Sequence, residues 1–109
     1  MNATLFLAQR VTAVILAFVV VGHLSMIIAA EHAGLTAGAL LARTHHNAAL
    51  FGFYALFVIA AGIHAPIGLR NVFAEWSPWR GRSLDLAMAV FALTIFALGL
   101  RAVFAVYSA

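Results

Sequence analysis

The chain has 109 residues, the length of one domain, and its composition is unlike that of a soluble protein. Hydrophobic residues make up 66% and charged residues 8%, whereas soluble proteins carry about 25% charged residues. The absence of cysteine excludes a disulfide scaffold and a thiolate metal site. All six cations are arginines, and they are dispersed singly rather than grouped in a basic stripe, which argues against nucleic acid as a partner. The composition therefore predicts a protein of the lipid bilayer.

Three long apolar stretches follow one another along the chain. We predict membrane spans at about residues 6–30, 45–69 and 84–107, because a helix that rises 1.5 Å per residue needs about 20 residues to cross the hydrocarbon core. The expected fold class is all-α: a three-helix transmembrane bundle that forms a single domain, residues 1–109. Frequent Gly and Ala in the spans permit close helix packing in lipid and favour an oligomer.

The distribution of arginines predicts the orientation of the bundle. The N-terminal end and the second connection, residues 70–85, hold Arg10, Arg70, Arg80 and Arg82. The opposite side holds Arg43 and Arg101. Since positive residues accumulate on the cytoplasmic side, we expect the N-terminus in the cytoplasm. With no presequence before the first span, we expect a multi-pass protein of the bacterial inner (cytoplasmic) membrane.

Two histidines, His23 and His64, lie well inside the first and second spans. An ionisable side chain is costly there, and its presence indicates a function. The roles open to it are axial haem ligation, proton relay and a structural hydrogen bond between helices. Gly22 and Gly68 stand close to these histidines and would leave room for a flat macrocycle. This favours haem, with the structural hydrogen bond as the alternative.

The depths of the two histidines predict that they serve different haems. At 1.5 Å per residue, His23 lies roughly 10 Å below the outer end of its span and His64 roughly 9 Å from the inner end. Two imidazoles that share one iron need nitrogens only about 4 Å apart. Each histidine would therefore take its opposing axial ligand from another polypeptide. A single haem, with His23 in a structural role, remains the alternative.

The other polar residues indicate no catalytic site in this chain. His32, His45 and His46 lie in or beside the first connection, where a wet interfacial role is typical. The few carboxylates lie at span boundaries and form no acid–base pair. The sequence also has no phosphate-binding glycine loop and no Ser-His-Asp set.

From His64 onwards the sequence reads HAPIGLRNVFAEW. This resembles the second-helix signature of the cytochrome b anchor subunits of succinate dehydrogenase and fumarate reductase, H-x3-G-[IV]-R-x4-[DE]-aromatic. The matching positions are His64, Gly68, Arg70, Glu75 and Trp76. The resemblance implies that His64 is an axial ligand of haem b.

A second, shorter segment is similar to the opening of the family's first helix. Residues 9–13 read QRVTA, beside H-R-[IV]-[ST]-G in the family. Arg10 matches the arginine that helps to form the quinone site in many members, so the resemblance implies a quinone contact for Arg10. The chain departs from the family at Gln9 and Ala13, and Phe6 stands where a quinone-site serine would be.

The spacing of the histidines resembles the two-haem branch of this family. There, a histidine near the outer end of the first helix binds the distal haem, and the proximal ligand follows about forty residues later. His23 and His64 are 41 positions apart, so the resemblance implies two haems b, with one haem as the alternative. Arg70 and Arg101 are the expected partners of the inner and outer haem propionates, although Arg101 could instead extend to the interface.

The resemblance as a whole implies a haem b-binding membrane anchor subunit of a succinate:quinone oxidoreductase. Together with a second membrane anchor subunit, it would attach an iron–sulfur subunit and a flavoprotein subunit to the membrane. It would carry electrons between the iron–sulfur subunit and quinone without acting on the dicarboxylate. Succinate oxidation in the tricarboxylic acid cycle and fumarate reduction both fit. The alternatives are a haem-free structural and quinone-binding anchor and, less favoured, a small transporter subunit.

Overall fold

The computed structural model describes residues 2–109 and is built from helices. In chain order these are α1 (Ala3–Ala33), α2 (Ala37–Thr44), α3 (Ala48–Trp76) and α4 (Arg82–Ser108). Helices α1, α3 and α4 are each long and apolar enough to cross a membrane, and no strand occurs in residues 2–109. The predicted all-α transmembrane bundle is confirmed. Helix α2 was not predicted and occupies much of the first connection.

Polar residues fix the beginnings of three helices. A side-chain oxygen at the N-cap accepts the backbone N–H of the residue three positions further on, which satisfies one of the free donors of the first turn. The capping residues are Asn2, Thr36 and Asn47. Helix α4 instead begins after Gly81, whose φ of 87° suits a residue without a Cβ atom.

Helix α3 differs from the predicted second span at both ends. It begins at Ala48 rather than near residue 45, because His45 is extended and His46 has a φ of 51°, and neither conformation continues a helix. It continues through Pro66 to Trp76 and ends at Ser77, which precedes a second proline and is extended. The second connection is therefore only residues 77–81.

Helix α3 is the central element, since α1 and α4 both pack mainly against it. Glycines allow α3 and α4 to approach closely: a Cβ atom at Gly62 would lie 2.7 Å from the ring of Phe96, and one at Gly99 would lie 2.6 Å from Val58. Leu84, in the first turn of α4, is 1% exposed. The two helices are antiparallel, because residues late in α4 face residues early in α3.

Many of the large apolar side chains lie on the outside of the bundle, and few are buried. Phe18 is 77% exposed, Leu86 and Leu93 are each 67% exposed, and Val21 is 65% exposed. In a bilayer, an apolar exterior of this kind is covered by lipid or by neighbouring subunits. The bundle is therefore apolar on its outside, and the polar side chains inside the spans are the exception.

Candidate functional site

The two histidines inside the spans both face the contact between α1 and α3, which we call the α1–α3 seam. His64 of α3 lies against Thr12 of α1, and His23 of α1 lies against Tyr54 and Phe57 of α3. A residue early in α1 thus contacts a residue late in α3, and a residue later in α1 contacts residues earlier in α3. The two helices are therefore antiparallel. The seam places the two predicted ligands on one helix pair.

The ring of His64 is held through its Nδ1 atom. This nitrogen lies 3.2 Å from the hydroxyl of Thr12. Thr12 is 5% exposed, and among residues 2–109 it is the one polar residue that is buried. Its hydroxyl also lies 2.7 Å from the carbonyl oxygen of Ala8 and 3.2 Å from that of Gln9. Because Nδ1 is engaged within the chain, Nε2 is the nitrogen of His64 that can bind a ligand.

The ring of His23 sits between aromatic edges. Its centroid lies 5.6 Å from that of Tyr54 and 5.3 Å from that of Phe57, in both cases with the rings nearly perpendicular. The Nδ1 atom of His23 is buried and has no hydrogen-bond partner within residues 2–109. An unmatched buried polar atom costs about 1–3 kcal/mol. A group from outside this chain would remove that cost.

The two rings lie at different depths. His64 is level with Thr12, and Thr12 and His23 are eleven residues apart on α1, which corresponds to roughly 16 Å along a helix. Nitrogens that share one iron are about 4 Å apart. Two crevices border His23. One, of about 210 Å³, includes Arg43, and the other, of about 310 Å³, is lined by α3 and α4.

The glycines next to the histidines do not leave free space in this chain. A Cβ atom at Gly22 would lie 3.2 Å from the ring of Phe53, and one at Gly68 would lie 3.0 Å from the side-chain nitrogen of Gln9. These glycines therefore have side chains of the opposite helix beside them, and the expectation that they leave room for a macrocycle stays a prediction. They allow side chains of the opposite helix to approach the backbone, which brings α1 and α3 together.

Arg70 has a partner that the sequence reasoning did not assign. Its Nε donates to Oδ1 of Asp85 at 2.6 Å, which joins the end of α3 to the first turn of α4. The two side chains are 32% and 56% exposed. An exposed ion pair contributes about 0–1 kcal/mol, so this pair orients the guanidinium more than it stabilises the bundle.

We expect Asp85→Asn to lower stability only slightly, by about 1 kcal/mol or less, because the pair is exposed. The measurement is the apparent Tm of the detergent-solubilised complex at low and high salt. Glu75→Gln is the control, since it removes a charge from the end of α3 without removing the carboxylate that Arg70 contacts. A large drop in Tm confined to Asp85→Asn would contradict a weak pair.

The other two arginines expected at binding sites are exposed. The guanidinium carbon of Arg10 lies 5.8 Å from the ring centroid of Phe6, and Arg10 borders an open groove on α1. Arg101 lies on α4 and does not line either crevice at His23. Arg43 of α2, which sequence reasoning did not select, does line one of them, and it donates to the carbonyl of Ala29 at 3.5 Å.

Sequence reasoning also missed Thr12, Tyr54 and Phe57. Thr12 carried a signal, since it is a polar residue inside an apolar stretch, eleven positions and thus three helical turns before His23. The two aromatic residues carried none, because aromatic side chains are common in spans. Within residues 2–109, no three His, Cys, Asp or Glu side chains are grouped closely enough to hold a metal ion. A metal bound at either histidine therefore needs ligands from elsewhere.

These features define an integral membrane helical protein with histidines on an internal seam. The family model of the succinate dehydrogenase/fumarate reductase transmembrane subunit matches residues 1–104, and the chain belongs to this family. No curated protein and no solved structure gives a significant match. The chain is thus a multi-pass membrane anchor subunit of a succinate dehydrogenase or fumarate reductase complex and acts with other subunits.

Proposed function

We propose that this chain is the haem b-binding anchor subunit of a succinate:quinone oxidoreductase and carries electrons between its iron–sulfur subunit and membrane quinone. The observation that carries the proposal is the pairing of His64 with Thr12 through Nδ1, which leaves Nε2 open in an apolar span. A ligating histidine usually binds the metal through one ring nitrogen and a hydrogen-bond partner through the other. The donor set therefore fits a haem iron.

His64 would bind the inner haem and His23 the outer haem. The buried, unmatched Nδ1 of His23 supports a ligand or partner from outside the chain. Bound haem b supplies a one-electron redox centre whose potential the axial ligands adjust. Each opposing ligand would come from a second membrane anchor subunit, because the two histidines of this chain lie at different depths.

Arginines would hold the anionic haem propionates. Arg70 uses Nε for Asp85, and its guanidinium has further N–H donors that suit a carboxylate of the inner haem. For the outer haem, Arg43 is better placed than Arg101, since Arg43 lines a crevice that contains His23. Arg10 is exposed near the N-terminal end of α1, on the same side as Arg70, and would contact the quinone.

The apolar exterior supports the remaining partners. A second anchor subunit would cover part of it, and lipid the rest. The iron–sulfur and flavoprotein subunits would dock at the end of the bundle that carries Arg70, Arg80 and Arg82. We assign that end to the cytoplasm from the distribution of arginines. The membrane that we propose is the bacterial inner membrane.

A haem-free anchor of the same family is the second candidate. It is favoured by the packing at the seam, where Phe53 and Gln9 fill the space beside Gly22 and Gly68. In this case the contact of Thr12 with His64 would serve only to join α1 to α3. The two candidates differ in one measurable quantity, the haem content of the complex.

The test is the ratio of haem b to flavin in the purified, detergent-solubilised complex, measured as the dithionite-reduced pyridine haemochrome. We expect two haems b per flavin. One haem would place His23 in a structural role. A complex with a full complement of flavin and no haem would overturn the haem proposal and leave the haem-free anchor.

A further inference from the structure

The distances at Thr12 indicate which nitrogen of His64 carries the proton. A threonine hydroxyl has one proton and two lone pairs. Its oxygen here has three neighbours: the carbonyl oxygens of Ala8 at 2.7 Å and Gln9 at 3.2 Å, and Nδ1 of His64 at 3.2 Å. Carbonyl oxygens only accept, so the proton goes to the nearer of them, Ala8. The hydroxyl oxygen then presents a lone pair to Nδ1 of His64. This assigns the donor role to Nδ1.

We propose that Thr12 is a positioning residue that fixes His64 in the tautomer with a proton on Nδ1 and an unprotonated Nε2. An imidazole ligates a metal only through an unprotonated nitrogen, so this tautomer prepares His64 as an axial ligand. The proposal rests on the haem-binding function proposed above. It adds a residue, on the other helix of the seam, that acts on the haem through its ligand.

The location of Thr12 suits it to this role. It is 5% exposed, so water has little access to replace its hydroxyl. Its β-branched side chain has few rotamers in a helix, and the bond to Ala8 selects one of them. The acceptor therefore stands at a fixed place, which sets the orientation of the ring and raises its basicity. Loss of such a partner typically lowers metal affinity by about 10–100-fold.

The experiment compares Thr12→Val with Thr12→Ser in the purified complex. Valine keeps the shape of threonine and removes the hydroxyl, whereas serine keeps the hydroxyl. Thr94→Val is the matched control, because Thr94 donates to the carbonyl of Val90 at 2.8 Å in the same helical pattern and lies exposed on α4. It therefore reports the effect of losing such a bond without any effect on a histidine.

Three quantities are measured for the haem that depends on His64: its occupancy, its midpoint potential and its ferric electron paramagnetic resonance signal. We expect Thr12→Val to reduce the occupancy, or to shift the potential upward because a less basic ligand favours the ferrous state, and to change the signal. Thr12→Ser and Thr94→Val should match the wild type. A Thr12→Val haem with wild-type occupancy, potential and signal would overturn the role of Thr12 and leave haem binding intact.

A second measurement needs no variant. The ¹⁴N quadrupole coupling of the remote imidazole nitrogen, read by pulsed electron paramagnetic resonance on the wild-type complex, reports whether that N–H donates a hydrogen bond. A quadrupole coupling typical of a hydrogen-bonded N–H at the His64 haem supports the proposal, and one typical of a free N–H overturns it. This result does not depend on whether the Thr12→Val complex assembles. Absence of haem from the wild type would overturn both this proposal and the function on which it rests.

Discussion

Replacement of His64 by alanine is expected to remove one of two haems b from the complex while the flavin content stays unchanged. Alanine offers no nitrogen to the iron, and His23 cannot replace His64, because the two rings lie at different depths on the α1–α3 seam. His23→Ala should remove the other haem. The two variants should therefore be complementary, with different remaining absorption bands and midpoint potentials.

Two controls separate loss of a ligand from loss of structure. His32→Ala makes the same substitution at an exposed histidine near the end of α1, and it should keep both haems. Imidazole added to His64→Ala should restore the missing haem, since the small ligand can occupy the volume that the side chain leaves. If His64→Ala retained both haems, His64 would not be an axial ligand, and the assignment of the inner haem would be wrong.

Gly62→Ala is expected to loosen the contact between α3 and α4. The new Cβ atom would lie 2.7–2.9 Å from three carbons of the Phe96 ring, and a planar ring cannot bend away as the end of a flexible chain can. Either the ring changes rotamer or the helices separate, and overpacking of this kind costs about 1–3 kcal/mol. The measurement is the apparent Tm of the solubilised complex.

Gly52→Ala is the matched control, because Gly52 lies on the same helix and a Cβ atom there would meet nothing within 4 Å. Alanine is the better helix former by about 1 kcal/mol, so Gly52→Ala should leave the Tm unchanged or raise it. The double variant Gly62→Ala, Phe96→Leu should recover much of the loss. Equal Tm values for Gly62→Ala and Gly52→Ala would show that the ring yields without cost.

The existence of the three membrane helices could be predicted from the sequence, because each requires only a long apolar stretch. Their ends depend on individual residues. The sequence Ser77-Pro78 marks the end of α3, and the cap at Thr36 marks the start of α2. Both signals are local and were available. The positive φ of His46 was not, because it arises as the chain turns back, where the N–H of His46 donates to the carbonyl of Tyr107.

The site could be predicted only in part, for a different reason. His23 and His64 are conspicuous as ionisable residues in apolar stretches. Their neighbours depend on how the helices are aligned. Thr12 and His64 are 52 positions apart, and no local pattern indicates that they meet. Arg43 was missed because α2 was not predicted, and it is α2 that brings Arg43 to a crevice at His23.

The α1–α3 seam also makes the length of α1 as important as the residues on it. Thr12 and His23 share one face because eleven residues make just over three turns. Deletion or insertion of a single residue between them would rotate one relative to the other by about 100°. The residue on α3 that contacts Thr12 or His23 would then face a different side chain of α1, although no contacting residue had been replaced. The number of residues between Thr12 and His23 therefore sets the alignment of the seam, in addition to the packing of individual residues such as Gly22 against Phe53.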